Sequence, residues 1–207
     1  LFTSHCDSDD ASLTSSISTA ITKNISVVAA TGNDGSITGI ASPACISNVT
    51  AAGTVNKADS INYNRNSITD LLAPGVSIKS LKPSLGCLSG CSCTENFMTC
   101  SGTSMSAPHV AAAFALVRQY RRLENNTILS PAAIQAALNT TGKQISDSGS
   151  GLAFSRINIF SAILSLDTIK PGISFVVPTP ANGTNLSLNS TGFFVYINTS
   201  TSEVLSS

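Results

Sequence analysis

At 207 residues the chain has room for one medium domain, or for one domain and the start of a second. Only 11% of its residues are charged, against about 25% in an average soluble protein, and 11 Lys+Arg cancel 11 Asp+Glu. That balance excludes a nucleic-acid partner, which needs a basic surface to neutralise phosphates, and no apolar run approaches the ~20 residues of a membrane span.

Taken in chain order, Leu13, Ile17, Ala20 and Ile21 recur at helical spacing and predict a helix over Ser8 to Lys23, with Asp9 and Asp10 at the positive end of its dipole. Ile25 to Ala30 is a short β-branched run closed by Thr31-Gly32-Asn33-Asp34-Gly35, a buried strand ending in a loop. Val49 to Val55 and Ile68 to Leu72 predict two further strands, the second stopped by Ala73-Pro74-Gly75. A helix follows Ser104, with Val110, Ala113, Phe114 and Val117 on one face and Arg118, Arg121 and Arg122 toward the negative end of its dipole. Another starts with Ser130 as N-cap and Pro131 at its first position, and a last helix covers Ile157 to Leu164. This alternation predicts an α/β layer fold with residues 1–168 as one domain. Composition shifts at Pro171. Phe175 to Val177 and Phe193 to Ile197 then predict two strands of a β-rich segment over 169–207, too short to fold without partners.

Six cysteines permit three disulfides in any of 15 pairings. Eight Asn-x-Ser/Thr sequons start at Asn24, Asn48, Asn125, Asn139, Asn182, Asn185, Asn189 and Asn198. With a charge-poor, hydroxyl-rich composition they predict an extracellular or cell-surface protein, where disulfides persist. The chain opens at Leu1 with no signal segment, so any targeting region is expected upstream.

The stretch that carries chemistry is Ser101-Gly102-Thr103-Ser104-Met105-Ser106-Ala107-Pro108-His109-Val110. It places Ser104 at a helix N-terminus, where orphan amides and the dipole favour the negative charge that a serine nucleophile and its oxyanion develop. Gly102 lets a substrate backbone approach closely. These residues resemble the nucleophile motif of the subtilisin-like serine peptidases, Gly-Thr-Ser-Met-Ala/Ser-x-Pro-His; eight such matches arise by chance about once in 10^10 starting points.

The resemblance extends along the chain from about Cys6 to Leu164. Val27-Val28-Ala29-Ala30-Thr31-Gly32-Asn33 is similar to the family's strand and loop bearing the oxyanion asparagine, which implies that role for Asn33 beside the Ser104 amide. Ala30 and Gly32 resemble residues lining one wall of the primary specificity pocket, and Gly102 completes the implied substrate-binding set. Leu71-Leu72-Ala73-Pro74-Gly75 resembles the strand before the nucleophile region, and Ser155-Arg156-Ile157-Asn158 the start of the closing helix. The resemblance implies a three-layer α/β fold with a mostly parallel sheet, present in part, followed by a truncated all-β segment resembling the start of an immunoglobulin-like repeat. It implies an endopeptidase acting on protein or peptide substrates through an acyl-enzyme on Ser104, with no required cofactor.

Such a hydrolase needs a general base and a carboxylate to orient it. Of the two histidines, His109 lies five residues along the same helix, where the family implies a buried packing residue, and Thr3-Ser4-His5-Cys6-Asp7 does not resemble the family's His-Gly-Thr-His motif. The family's Asp and His motifs precede the first residue here. The expectation is therefore the C-terminal half of a catalytic domain, inactive without its missing N-terminal half. A non-catalytic surface module on a peptidase scaffold is the alternative.

Cys87, Cys91, Cys93 and Cys100 crowd the segment before Ser104. Four thiolates could hold zinc, but the spacing lacks paired Cys-x2-Cys knuckles and favours two local disulfides in a loop insertion that shapes substrate access. Cys6 and Cys45 remain as a third pair. Asp70 resembles the carboxylate of a calcium site in some family members, with the carbonyls of Ser47 and Val49 completing it.

Overall fold

The computed structural model describes residues 1–168 and, as backbone, 172–175 and 197–200. The first helix, α1 (Ala11–Thr22), starts later than its apolar spacing predicts because Asp10 is the N-cap: its carboxylate accepts from the Leu13 amide. The sheet then forms from β1 (Val28–Ala30), β2 (Thr50–Val55) and β3 (Leu71–Pro74), joined in parallel. Further on, β7 (Lys143–Asp147) and β8 (Leu152–Arg156) make an antiparallel hairpin, and β8 adds to β3 in parallel, giving the order β1-β2-β3-β8-β7.

Every residue of β2 is buried, so helices must cover both faces of the sheet. Its side chains alternate accordingly. Ala52, with Leu71 and Ala73, packs against Val110, Ala113, Phe114 and Val117 of α2 (Thr103–Asn125), Ile134 and Leu138 of α3 (Pro131–Thr141) and Ala162 of α4 (Ile159–Leu166). Ala51 faces the opposite layer with Ile17 of α1, Ile40 and Ile46. Each large apolar side chain so buried contributes about 1.5–3 kcal/mol. This is an α/β arrangement with a mostly parallel sheet, as expected.

The ends of the helices show where local patterns mislead. Ser130 caps α3 as expected, accepting from the Ala133 amide. Of the three arginines assigned to the end of α2, only Arg122 lies in its last turn, since the helix continues to Asn125 and stops at the left-handed Asn126. Arg118 instead reaches Ser26 Oγ, and Arg121 pairs with Glu124 and donates to the Leu166 carbonyl, tying α2 to its neighbours.

Between β3 and α2 a second sheet forms from β4 (Ile78–Leu81), β5 (Ser92–Cys93) and β6 (Phe97–Cys100), all antiparallel in the order β4-β6-β5. Disulfides Cys87–Cys93 and Cys91–Cys100 staple it, and Cys6–Cys45 joins the entry of α1 to the loop after β1. All six cysteines are thus oxidised, which removes the zinc alternative.

The chain divides into two units, Leu1–Leu166 and Asp167–Ser207. In the second, β9 (Gly172–Phe175) pairs antiparallel with β10 (Ile197–Ser200). The strands expected over Phe175 to Val177 and Phe193 to Ile197 otherwise lie outside the described residues. Among the described residues no helix is long and apolar enough to cross a membrane.

Candidate active site

The carboxyl ends of β1 and β3 and the N-terminus of α2 meet at one edge of the sheet, where ligands gather in open α/β folds. Three backbone links assemble the nucleophile turn there. Gly75 N–H donates to Val55 O at 3.2 Å, Gly102 N–H donates to Gly75 O at 2.8 Å, and Ser77 N–H donates to Ser101 Oγ at 2.9 Å. Gly102 has φ +151°, and a Cβ there would lie 3.3 Å from the Asn33 carboxamide, so glycine is required both by conformation and by space.

Gly102 supplies no side-chain cap to α2. The cap comes from Asn33, 70 residues earlier. Its Oδ1 accepts from Thr103 N–H at 2.9 Å and from the Thr103 hydroxyl at 3.0 Å, and Gly32 N–H donates to Thr103 Oγ1 at 3.1 Å. A backbone amide can only donate, so the carboxamide atom it meets is the oxygen, and Asn33 Nδ2 faces the other way, without an acceptor among the described residues. Met105 N–H is satisfied by Gly102 O at 3.0 Å. Ser104 N–H has no partner among the described residues. The exposed Ser104 therefore carries a free amide at a helix N-terminus beside a free, oriented amide hydrogen of Asn33. Two such donors converging near one hydroxyl can stabilise an oxyanion formed at an acyl carbon attacked by that hydroxyl.

One turn into α2 lies a hidden support for this geometry. Ser106 is fully buried and donates to Ala73 O at 2.8 Å, so the Thr54 hydroxyl, 2.7 Å away, must donate to Ser106 Oγ. The pair replaces an apolar contact with two directed bonds between α2 and strands β2 and β3. Neither it nor the Thr103 to Asn33 link was legible in the sequence, because the partners are 52 and 70 residues apart.

Ala30 ends β1 half-buried, and Gly32 follows at φ +108°. Both sit on the Asn33 side of the nucleophile turn. His109 is half-buried rather than buried, and its Nδ1 lies 2.7 Å from the Met105 carbonyl. Five residues of helix place it about 140° around the axis from Ser104, facing away from the hydroxyl. His5 is exposed, bonds Cys45 O through Nδ1 at 3.2 Å, and acts electrostatically on Asp70, which precedes β3 at the edge opposite Ser104. Neither histidine serves Ser104.

Asp70 was expected to offer oxygens to calcium. Its Oδ2 accepts from Ala51 N–H at 2.7 Å and its Oδ1 from Gln135 Nε2 at 2.9 Å, while burial pushes its carboxyl up. The Ser47 amide and hydroxyl donate to Asp7. No group of acidic, His or Cys side chains suited to a metal occurs among the described residues. Each Asp70 carboxylate oxygen thus already accepts from one N–H donor, and the Ser47 amide and hydroxyl turn to Asp7.

Ser104 thus stands at the N-terminus of α2, next to the Thr103 that holds the Asn33 carboxamide. Residues 3–158 match the model of the Subtilase family, and the chain belongs to that family. It is 34% identical over 160 residues to the thermophilic serine proteinase of Bacillus sp. (strain AK1), covering 76% of this chain and 35% of that protein. It is 32% identical over 154 residues to Subtilisin BL of Lederbergia lenta, covering 70% of this chain and 50% of that one. Among solved structures, the prenylagaramide maturation protease superposes with a TM-score of 0.65 at 25% identity, over 76% of this chain and 56% of that one. The chain thus spans about a third to a half of the curated relatives it matches.

Proposed function

We propose that this chain supplies the nucleophile and oxyanion half of a subtilisin-like serine endopeptidase. Ser104 Oγ adds to the carbonyl carbon of a peptide bond, and the resulting oxyanion accepts from Ser104 N–H and Asn33 Nδ2. The peptide then leaves as an amine, and water hydrolyses the acyl-serine. The proton of Ser104 is taken by a base outside these 207 residues, since both histidines face elsewhere. The observation that carries this reading is the locked Asn33 carboxamide beside the unpartnered Ser104 amide. A scaffold retained without catalysis has no need to keep two buried-side bonds aiming a free amide hydrogen at an exposed serine, which disfavours the non-catalytic alternative.

Asn33→Leu in the full-length protein tests it. Turnover of a peptide substrate is expected to fall about 10²- to 10³-fold with KM little changed, a magnitude borrowed from a subtilisin. An unchanged kcat would remove Asn33 from the site.

The protein is exported in this reading, supported by three disulfides and by exposed sequon asparagines at Asn48, Asn125 and Asn139. Peptide mapping of protein from its native source should find glycan on at least one of the three; unmodified asparagine at all of them would count against export through a glycosylating compartment.

A further inference from the structure

We infer that Asn64 is a positioning residue for the oxyanion donor, an inference that rests on the peptidase reading above. Asn64 is fully buried, yet four hydrogen bonds run from it to the loop that bears Asn33. Its backbone carbonyl accepts from Thr31 Oγ1 at 2.7 Å, and its amide donates to Gly32 O at 3.2 Å. Its side-chain Nδ2 donates to Asp34 Oδ2 at 2.9 Å, and its Oδ1 accepts from Ser36 N–H at 3.0 Å. The next residue adds a fifth bond, Arg65 N–H to Ser36 O at 2.9 Å. Residues 31, 32, 34 and 36 are thus held from behind by one side chain and its backbone, and Asn33 lies between them.

The contacts are tight as well as numerous. A Cβ on Gly32 would fall 2.4 Å from Asn64 Nδ2, so the absence of a side chain at Gly32 is what lets the carboxamide reach the loop. The hydrogen bonds of the Asn33 side chain among the described residues both go to Thr103. Thr103 sets which way the carboxamide faces; Asn64 sets where the loop backbone carries it. An oxyanion donor must meet its target within a few tenths of an ångström, and a misplacement of about 1 Å originating away from the chemistry can cost about 10²-fold.

The test uses the full-length protein and a reversal of bond polarity. Asn64→Asp keeps the acceptor for Ser36 but sets a carboxylate against Asp34; Asp34→Asn added to it restores the bond with the donor on the other residue. Asn64→Asp is expected to lower kcat about 10- to 100-fold while KM moves less than about 3-fold, and to weaken a peptide boronate in parallel with kcat. The double variant should return to within about 3-fold of Asp34→Asn alone. A folded Asn64→Asp with unchanged kcat, or a double variant as slow as Asn64→Asp, overturns the inference. Should Asn64→Asp not fold, the exposed partner decides: Asp34→Ala lowers kcat severalfold and Asp34→Asn does not, whereas equal rates overturn it. Hydrogen exchange reads the geometry without turnover. Faster exchange at residues 31–36 and at Thr103 in Asn64→Asp supports positioning even if the parent proves inactive, a result that would count against the peptidase reading only; unchanged exchange overturns the positioning itself.

Discussion

Replacing Ser104 with alanine in the full-length protein is expected to reduce peptide turnover about 10^6-fold, a magnitude taken from a subtilisin in which the nucleophile was removed. The substitution deletes the attacking oxygen and little else. Ser104 is exposed and its hydroxyl makes no hydrogen bond among the described residues, so its loss should leave stability within about 0.5 kcal/mol. The Ser104 amide and Asn33 remain, and with them whatever transition-state stabilisation a water attack can still use, typically about 10³- to 10⁴-fold over solution. Steady-state kinetics beside a thermal melt separates the two effects. Turnover within about tenfold of the parent, with an unchanged melt, would remove Ser104 from the chemistry.

The second large effect concerns stability and lies at the other side of the oxyanion loop. Arg65 Nε and Nη2 grip Asp147 at 2.7 and 2.9 Å, both side chains being 7% exposed. Asp147 also accepts from Gly149 N–H and from the Ser150 amide and hydroxyl, so one carboxylate organises the β7 to β8 turn and pins it to the segment holding the site loop. Arg65→Met leaves that carboxylate buried without its cation and is expected to cost about 3–5 kcal/mol, read as a lower denaturant midpoint. Arg65→Met with Asp147→Leu should recover part of the loss, because the stranded charge is gone. The exposed Gly149 and half-buried Ser150 donors also lose their acceptor, so recovery should stop short by about 0.5–1.5 kcal/mol.

The same pair predicts the direction of a pH effect. The Arg65 guanidinium, helped by Ser150 and Gly149, holds the Asp147 carboxyl well below the usual carboxylate range against the opposing effect of burial. A carboxylate depressed in the folded state contributes its full stability above the unfolded value near 3.9 and loses it as pH falls below that toward the folded value. Acid unfolding of the parent should therefore steepen below about pH 4, and Arg65→Met should flatten this part of the curve. A variant whose stability follows the parent's through that window would show that the pair is energetically idle.

Some of this was legible from residues alone, for physical reasons that differ by element. Helix α2 and Ser104 could be read because a small-residue turn, an apolar stripe and a distinctive motif coincide over one short stretch. Strands β1, β2 and β3 were readable because they are buried on both faces or end in Pro and Gly. Strands β4 to β8 were not. Lys143 to Asp147 carries one buried apolar residue, Ile145, and looks like loop until β8 pairs with it. Asn64, Arg65 and Asn66 carry no apolar pattern, yet all three are buried, since their polar groups find partners on residues 2, 31 to 38, 69 and 147. At Asp70 the residue type alone suits calcium, and only the fold shows Gln135 and the Ala51 amide on its oxygens.

The central claim is that Ser104 is a nucleophile whose base lies outside these 207 residues. A fluorophosphonate probe measures it directly, because the phosphorus is attacked by an activated serine and the adduct can be located by peptide mapping. The full-length protein should be labelled at Ser104, and the 207-residue chain alone should not be. Robust labelling of Ser104 in the chain alone, or no labelling of it in the full-length protein, would contradict the account.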